Sequence, residues 1–160
     1  MRAQQGITLV DAVITLAVMA LMIGWFIPSM QQWHAHHLLD TQMRDVQGLM
    51  QQAQMASLNH GRPWTLCGSR DGVHCDGRWK YLLVLDAGRH VRYRIQGNDQ
   101  VSLHWKGLSE ALVFHPRLSG SILNGTFYLC HAQQGRKLIV NRLGRMRFQS
   151  IDSEDCQTHP

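Results

Sequence analysis

The side chains best placed to do chemistry in this chain are cations. Between Arg136 and Arg147 it carries five basic residues (Arg136, Lys137, Arg142, Arg145 and Arg147) and no acidic one. Arg145 and Arg147 alternate at strand spacing, which points both to one face. Arg142 precedes them across Leu143-Gly144, and a glycine there lets backbone and guanidinium groups approach a flat or curved anion closely. Such an array neutralises successive phosphates without reading bases. An ordinary solvated strand face would carry the same residues. Lys106, between Trp105 and Gly107, is a second-rank cation of the same kind.

Other chemistries find less support. There is no G-x-S-x-G, no H-E-x-x-H and no Gly-rich phosphate cradle, so no catalytic residue is assigned and the chain is not read as an enzyme. Asp71, Asp76 and Asp86 follow turns and need no chemical role. His34 and His37 share a helical face and in principle can bind a metal. With His36 they read more simply as an interfacial collar beside Trp25 and Trp33, where tryptophan is favoured. No cofactor and no metal are expected.

These residues sit on elements of two textures. After Pro28, apolar residues Leu38, Leu39, Met43, Val46, Leu49, Met50, Ala53 and Leu58 recur at spacings of three and four. His60-Gly61-Arg62-Pro63 ends that pattern. One helix from about Ile7 to Leu58 would be ~75–80 Å long at 1.5 Å per residue. Beyond Pro63 come short β-like runs: Trp64–Cys67, Trp79–Asp86, Val91–Ile95, Val101–Trp105, Leu112–Phe114, Thr126–Cys130, Lys137–Asn141 and Arg145–Gln149. Turn residues at Asp86-Ala87-Gly88 and Gly97-Asn98-Asp99 separate some of them. Strands this short suit an antiparallel sheet packed on a helix.

At the N-terminus a polar, basic stretch, Met1 to Gly6, runs into an apolar run from Ile7 to Ile27 that Pro28 closes. That run matches the ~20 residues needed to cross a bilayer core. Asp11 lies inside it, and a carboxylate there is costly in hydrocarbon and marks a functional position with a partner. An ordinary secretory signal is cut after its apolar segment, whereas the small residue here, Gly6, stands before it. Gly6-Ile7-Thr8-Leu9-Val10-Asp11 resembles the processing signature of type IV pilins and pseudopilins. The resemblance implies that a dedicated prepilin peptidase cuts after Gly6 and methylates Ile7. It also implies that Asp11 pairs with a neighbouring subunit's terminal amine in a filament. The family more often has Phe and Glu where this chain has Ile7 and Asp11.

A second resemblance lies in the β-rich half. Cys67-Gly68-Ser69-Arg70-Asp71-Gly72 through Cys75, then Trp79, and later Leu138-Ile139-Val140-Asn141 with Gly144-Arg145-Met146-Arg147, are similar to the GspH/FimT branch of the pilin-like proteins. The fold this implies is α+β and pilin-like, a long N-terminal α-helix packed on a C-terminal antiparallel β-sheet domain. The organisation implied is a leader over 1–6, a membrane-spanning or filament-core segment over 7–30 and a globular domain over 31–160. For Arg142, Arg145 and Arg147, helped by Arg136, Lys137 and Lys106, the branch implies non-specific capture of double-stranded DNA during natural transformation. The alternative is a structural minor pilin or type II secretion pseudopilin that primes or caps a filament without binding DNA. Either reading implies the bacterial inner membrane before assembly and a pilus or pseudopilus after it, with other pilins as partners.

Four cysteines, Cys67, Cys75, Cys130 and Cys156, all lie beyond the apolar run. An even count in an exported domain reads as two disulfides with three possible connectivities. Cys67–Cys75, closing a short loop, and Cys130–Cys156, tying down the tail, are favoured. A zinc site is less well supported, because no C-x-x-C pair is present. Sixteen Lys and Arg against eleven Asp and Glu make the chain modestly basic, with a formal net charge of +5. That total alone supports only a weak claim for an anionic partner, so the placement of the cations matters more.

Overall fold

The structure, a computed structural model, describes residues 9–117, 121, 123–132, 134–151 and 156. The expected leader, with Gly6 and Ile7, lies outside the described residues, as do the side chains of Trp25 and Pro28. The first element, α1, is Leu9–His60 and continues through Gly48. The chain divides into two compact units, Met1–His34 and Ala35–Pro160.

No described side chain of the first unit is buried. Leu9, Val13, Leu16 and Leu21 are 57–81% exposed, an apolar surface that needs lipid or neighbouring chains to cover it. Among the described residues no helix is long and apolar enough to cross a membrane. The stretch with described side chains, Leu9–Gly24, stops short of the ~20 residues a span needs. The apolar run of the sequence continues through Trp25, Phe26 and Ile27.

In the second unit α1 presents Leu39, Met43, Val46, Leu49, Met50 and Ala53, all buried, to two antiparallel sheets. Leu58, expected in the same stripe, is 48% exposed. At 3.6 residues per turn the inward position falls instead on Ser57, which is fully buried and donates its hydroxyl to the Phe114 carbonyl at 2.9 Å.

All eight expected strands form: β1 Trp64–Ser69, β2 Tyr81–Leu85, β3 Val91–Gln96, β4 Ser102–Gly107, β5 Ala111–Phe114, β6 Gly125–His131, β7 Gln134–Val140 and β8 Met146–Ile151. The first sheet has the order β3-β2-β1-β5 and the second β4-β6-β7-β8. The chain therefore leaves the first sheet after β3, starts the second at β4 and returns to pair β5 with β1. Trp79 lies outside β2, where a strand start was expected. Its ring instead plugs the core from the preceding loop, edge-on to Phe127 with centroids 5.0 Å apart. Leu66, Leu82, Val84, Leu112 and Phe114 of the first sheet and Phe127, Leu129, Leu138 and Val140 of the second share one core with α1.

Both favoured disulfides are present, Cys67–Cys75 and Cys130–Cys156, with Cα atoms 5.7 and 5.9 Å apart. Inside the first, the Asp71 carboxylate accepts from Ser69 Oγ and from the backbone N–H groups of Val73 and His74, and faces His74 Nδ1 at 2.9 Å. Led by the His74 side chain, these contacts hold Asp71 well below the usual carboxylate range. The acid of this loop is thus a structural cap for a tight turn.

Candidate nucleic-acid interface

The basic residues of the sequence gather on the β7–β8 hairpin, whose turn is built around Asn141. Asn141 Oδ1 accepts from the N–H groups of Leu143 and Arg145 at 3.0 and 2.9 Å. The Gly144 N–H donates to the Asn141 carbonyl and the Asn141 N–H to the Arg145 carbonyl. Gly144 closes the turn at φ 77°, in the left-handed region that L side chains avoid. It sets the reversal that brings Arg145 into line with β8. The Asn141–Arg145 bond continues the β7–β8 ladder by one residue, so Arg145 and Arg147 keep the alternation and share a face.

Strand register identifies that face. Ile139 stands opposite Arg147 and Thr126, and Thr126 opposite Lys106, giving one row Lys106–Thr126–Ile139–Arg147 across all four strands. The next row is His104–Tyr128–Lys137–Gln149. Lys106, Lys137 and Arg147 therefore share the outer face of the second sheet, the side away from buried Trp105, Phe127 and Leu138. Lys106, Arg142, Arg145 and Arg147 are exposed and Lys137 half-buried. The two rows and the ladder's end at Asn141 and Arg145 contain no acidic residue.

Arg136 belongs elsewhere. It shares the helix-facing side of β7 with Leu138 and Val140. There its Nε meets Asp40 Oδ1 at 3.3 Å, its Nη1 bonds Ser150 Oγ and its Nη2 lies 3.2 Å from His36 Nδ1. Only 20% of its side chain is exposed. This arginine clamps β7 and β8 to α1 and is turned from the outer face.

The second disulfide crosses the same sheet. Gly135 lies beside Cys130 in the ladder, and a Cβ there would fall 2.5 Å from Cys156 Sγ and 2.6 Å from the Ile151 side chain. Glycine is required for the tail to be tied down at that point. Among the described residues no group of three His, Cys, Asp or Glu is arranged to hold a metal ion. His34, His36 and His37 are exposed on α1.

Sequence reading missed two features. Leu143 and Phe148 are each more than half exposed on the basic hairpin, although nothing in their spacing sets them apart from core residues. A cavity near the end of α1 collects Arg62, Trp64, Arg92 and Tyr93. The run Arg92-Tyr93-Arg94, basic with an aromatic interleaved, is the signal that was available for it.

No curated protein sequence matches this chain. The type IV minor pilin FimU of Pseudomonas aeruginosa (strain PAO1), solved in two crystal forms, is similar in structure. One form aligns at 20% identity and a TM-score of 0.54 over 76% of this chain and 97% of that one. The other aligns at 19% and 0.56 over 78% and 94%. At such identities the likeness establishes the fold, a long helix packed on antiparallel sheets. The family described as type II transport protein GspH matches residues 42–144, from the buried half of α1 through the Asn141 turn. With more than half of its length so matched, the chain belongs to the GspH family.

Proposed function

We propose that this pilin captures double-stranded DNA through the outer face of its second sheet during natural transformation. The observation that carries the reading is the gathering of Lys106, Lys137, Arg145 and Arg147, with Arg142 at the turn tip, on a surface whose two rows hold no carboxylate. Lys106 and Arg147 are three strand intervals apart, about 14 Å at ~4.8 Å each. That is on the scale of the ~12 Å major groove, so cations at the two sides of the sheet suit phosphates on either side of a groove. Contact through phosphates alone positions without specifying. Affinity in the micromolar range or weaker follows from so few charges, and several copies in a filament compensate by multivalency.

The apolar run serves as inner-membrane anchor before assembly and as filament core after it. A prepilin peptidase removes Met1–Gly6 and methylates Ile7, and Asp11 pairs with a neighbouring subunit's amine. The GspH family's description favours a second reading, a secretion pseudopilin that primes or caps a pseudopilus without DNA. Fluorescence anisotropy of the full-length chain in detergent micelles, titrated into a random-sequence duplex at low salt, separates the two. Salt-sensitive, sequence-independent binding supports DNA capture, and no binding leaves the structural pilin.

A further inference from the structure

A cavity of about 870 Å³ opens in the second unit beside the end of α1, remote in sequence from the basic hairpin. Its size falls within the ~300–1,000 Å³ of small-ligand sites. His60, the last residue of α1, stacks on Trp64, the first of β1, with centroids 5.6 Å apart and planes 21° off parallel. Tyr93 stands 6.5 Å from Trp64 at 32°. Trp64 is buried, whereas Tyr93 is 43% exposed, so one aromatic wall has a fixed base and an accessible ring.

Arg62 and Arg92 line the same cavity. Consecutive strand residues normally point to opposite faces, yet Arg92 and Tyr93 both reach it. The cause is a bulge: Tyr93 pairs with Val84 and Val91 with Leu85, leaving Arg92 as the extra residue, and a bulge re-aims such a side chain. Arg92 Nε contacts Asp86 Oδ2 at 2.8 Å. Asp86, which lines the cavity as well, also accepts from the N–H groups of Gly88 and His90, and its bond to Arg92 uses Nε alone, leaving the two Nη groups for a ligand. Among the described residues neither Arg62 nor the Tyr93 hydroxyl has a hydrogen-bonding partner.

We propose that this cavity binds an unpaired nucleotide of single-stranded DNA, the base stacking on the exposed Tyr93 ring, which buried Trp64 backs, and the phosphate at Arg62 and Arg92. The proposal deepens the DNA-capture reading and takes its polymer from it, while using none of the same residues. An exposed tyrosine ring with a fixed tryptophan behind it favours a planar ligand over an acidic peptide, which would need the cations alone. Stacking of this kind accepts any base. With one or two phosphate contacts the salt dependence is shallow, a log–log slope of about −0.7 to −1.4 for a single strand.

The test uses the full-length chain in detergent micelles and a short fluorescent oligothymidylate at low salt. Wild type binds it, and Tyr93→Ala weakens binding by about fivefold or more, whereas Tyr93→Phe keeps the ring and the affinity. Arg62→Gln weakens it by a smaller factor. Tyr93→Ala and Arg62→Gln leave duplex binding unchanged, and in the Arg145→Gln/Arg147→Gln background oligothymidylate binding keeps its Tyr93 dependence. If the duplex fails to bind while the oligothymidylate keeps its Tyr93 dependence, the outer-face reading falls and the cavity stands. The proposal is overturned if wild type does not bind the oligothymidylate or if Tyr93→Ala binds it as well as wild type. It is also overturned if polyglutamate occupies the site with the same Tyr93 dependence.

Discussion

The double substitution Arg145→Gln/Arg147→Gln removes two exposed cations from the proposed DNA face and disturbs no buried side chain. Lys106, Lys137 and Arg142 remain, so phosphate contacts fall from five to three. At ~0.9 in log–log slope per contact, the salt dependence of duplex binding drops from about −4.5 to about −2.7. Between ~50 and ~200 mM salt, wild type then loses affinity about 500-fold and the double variant only about 40-fold. Arg136→Gln supplies the contrast, because Arg136 is spent on Asp40, Ser150 and His36. It should leave the slope at about −4.5. Its cost should appear as ~1–2 kcal/mol of stability from a partly exposed, charge-assisted contact. Anisotropy titrations at several salt concentrations and thermal melts of the same samples read both quantities. A wild-type slope in the double variant, or equal flattening by Arg136→Gln, would refute the assignment of faces and with it the mechanism.

Four further outcomes are expected. Gly144→Ala, forced into the left-handed region at φ 77°, should cost ~1–2 kcal/mol by denaturant unfolding and weaken duplex binding through misplacement of Arg145; Gly144→Asn should be milder. Opening Cys130–Cys156, which spans 26 residues, with Cys156→Ser should cost ~3.5 kcal/mol, against ~2.5 kcal/mol for opening Cys67–Cys75, which spans 8; urea midpoints rank the two. The His90 N–H outweighs the cost of burying the Asp86 carboxylate and, with Arg92, lowers it from 3.8 to about 2. Its contribution is therefore complete above pH 3.8 and lost as pH falls toward 2, and Asp86→Asn should flatten the pH dependence of the urea midpoint across that window. Asp11→Ala should insert into membranes normally, since it removes a charge from the apolar run, but should appear less in sheared filaments by immunoblot.

Much of the fold was legible because its signals are local. Spacings of three and four placed the α1 stripe from Leu39 to Ala53, and Leu58 failed only at the end, where Ser57 found the Phe114 carbonyl. Short apolar runs between turn residues located all eight strands. Trp79 was drawn into β2 by its β-forming character, but the core claimed it from outside the ladder. The candidate site was legible in part. Alternation makes Arg136 and Lys137 point to opposite faces, and no local feature says which of the two faces the helix.

By itself the sequence determined the parts: an apolar N-terminal run carrying Asp11, an amphipathic helix, eight strands and a cation-rich hairpin with a glycine at its turn. Each follows from periodicity, backbone preference or composition within a few residues. Tertiary structure alone decided the pairings between distant segments. The return of β5 to β1, the row that sets Lys106 on β4 level with Arg147 on β8, and the commitment of Arg136 to Asp40 all join residues far apart in the chain. So does the cavity that unites the end of α1 with the Arg92 bulge. Such pairings are chosen by how two sheets and a helix can jointly bury their apolar faces, a many-body condition that no local stretch encodes.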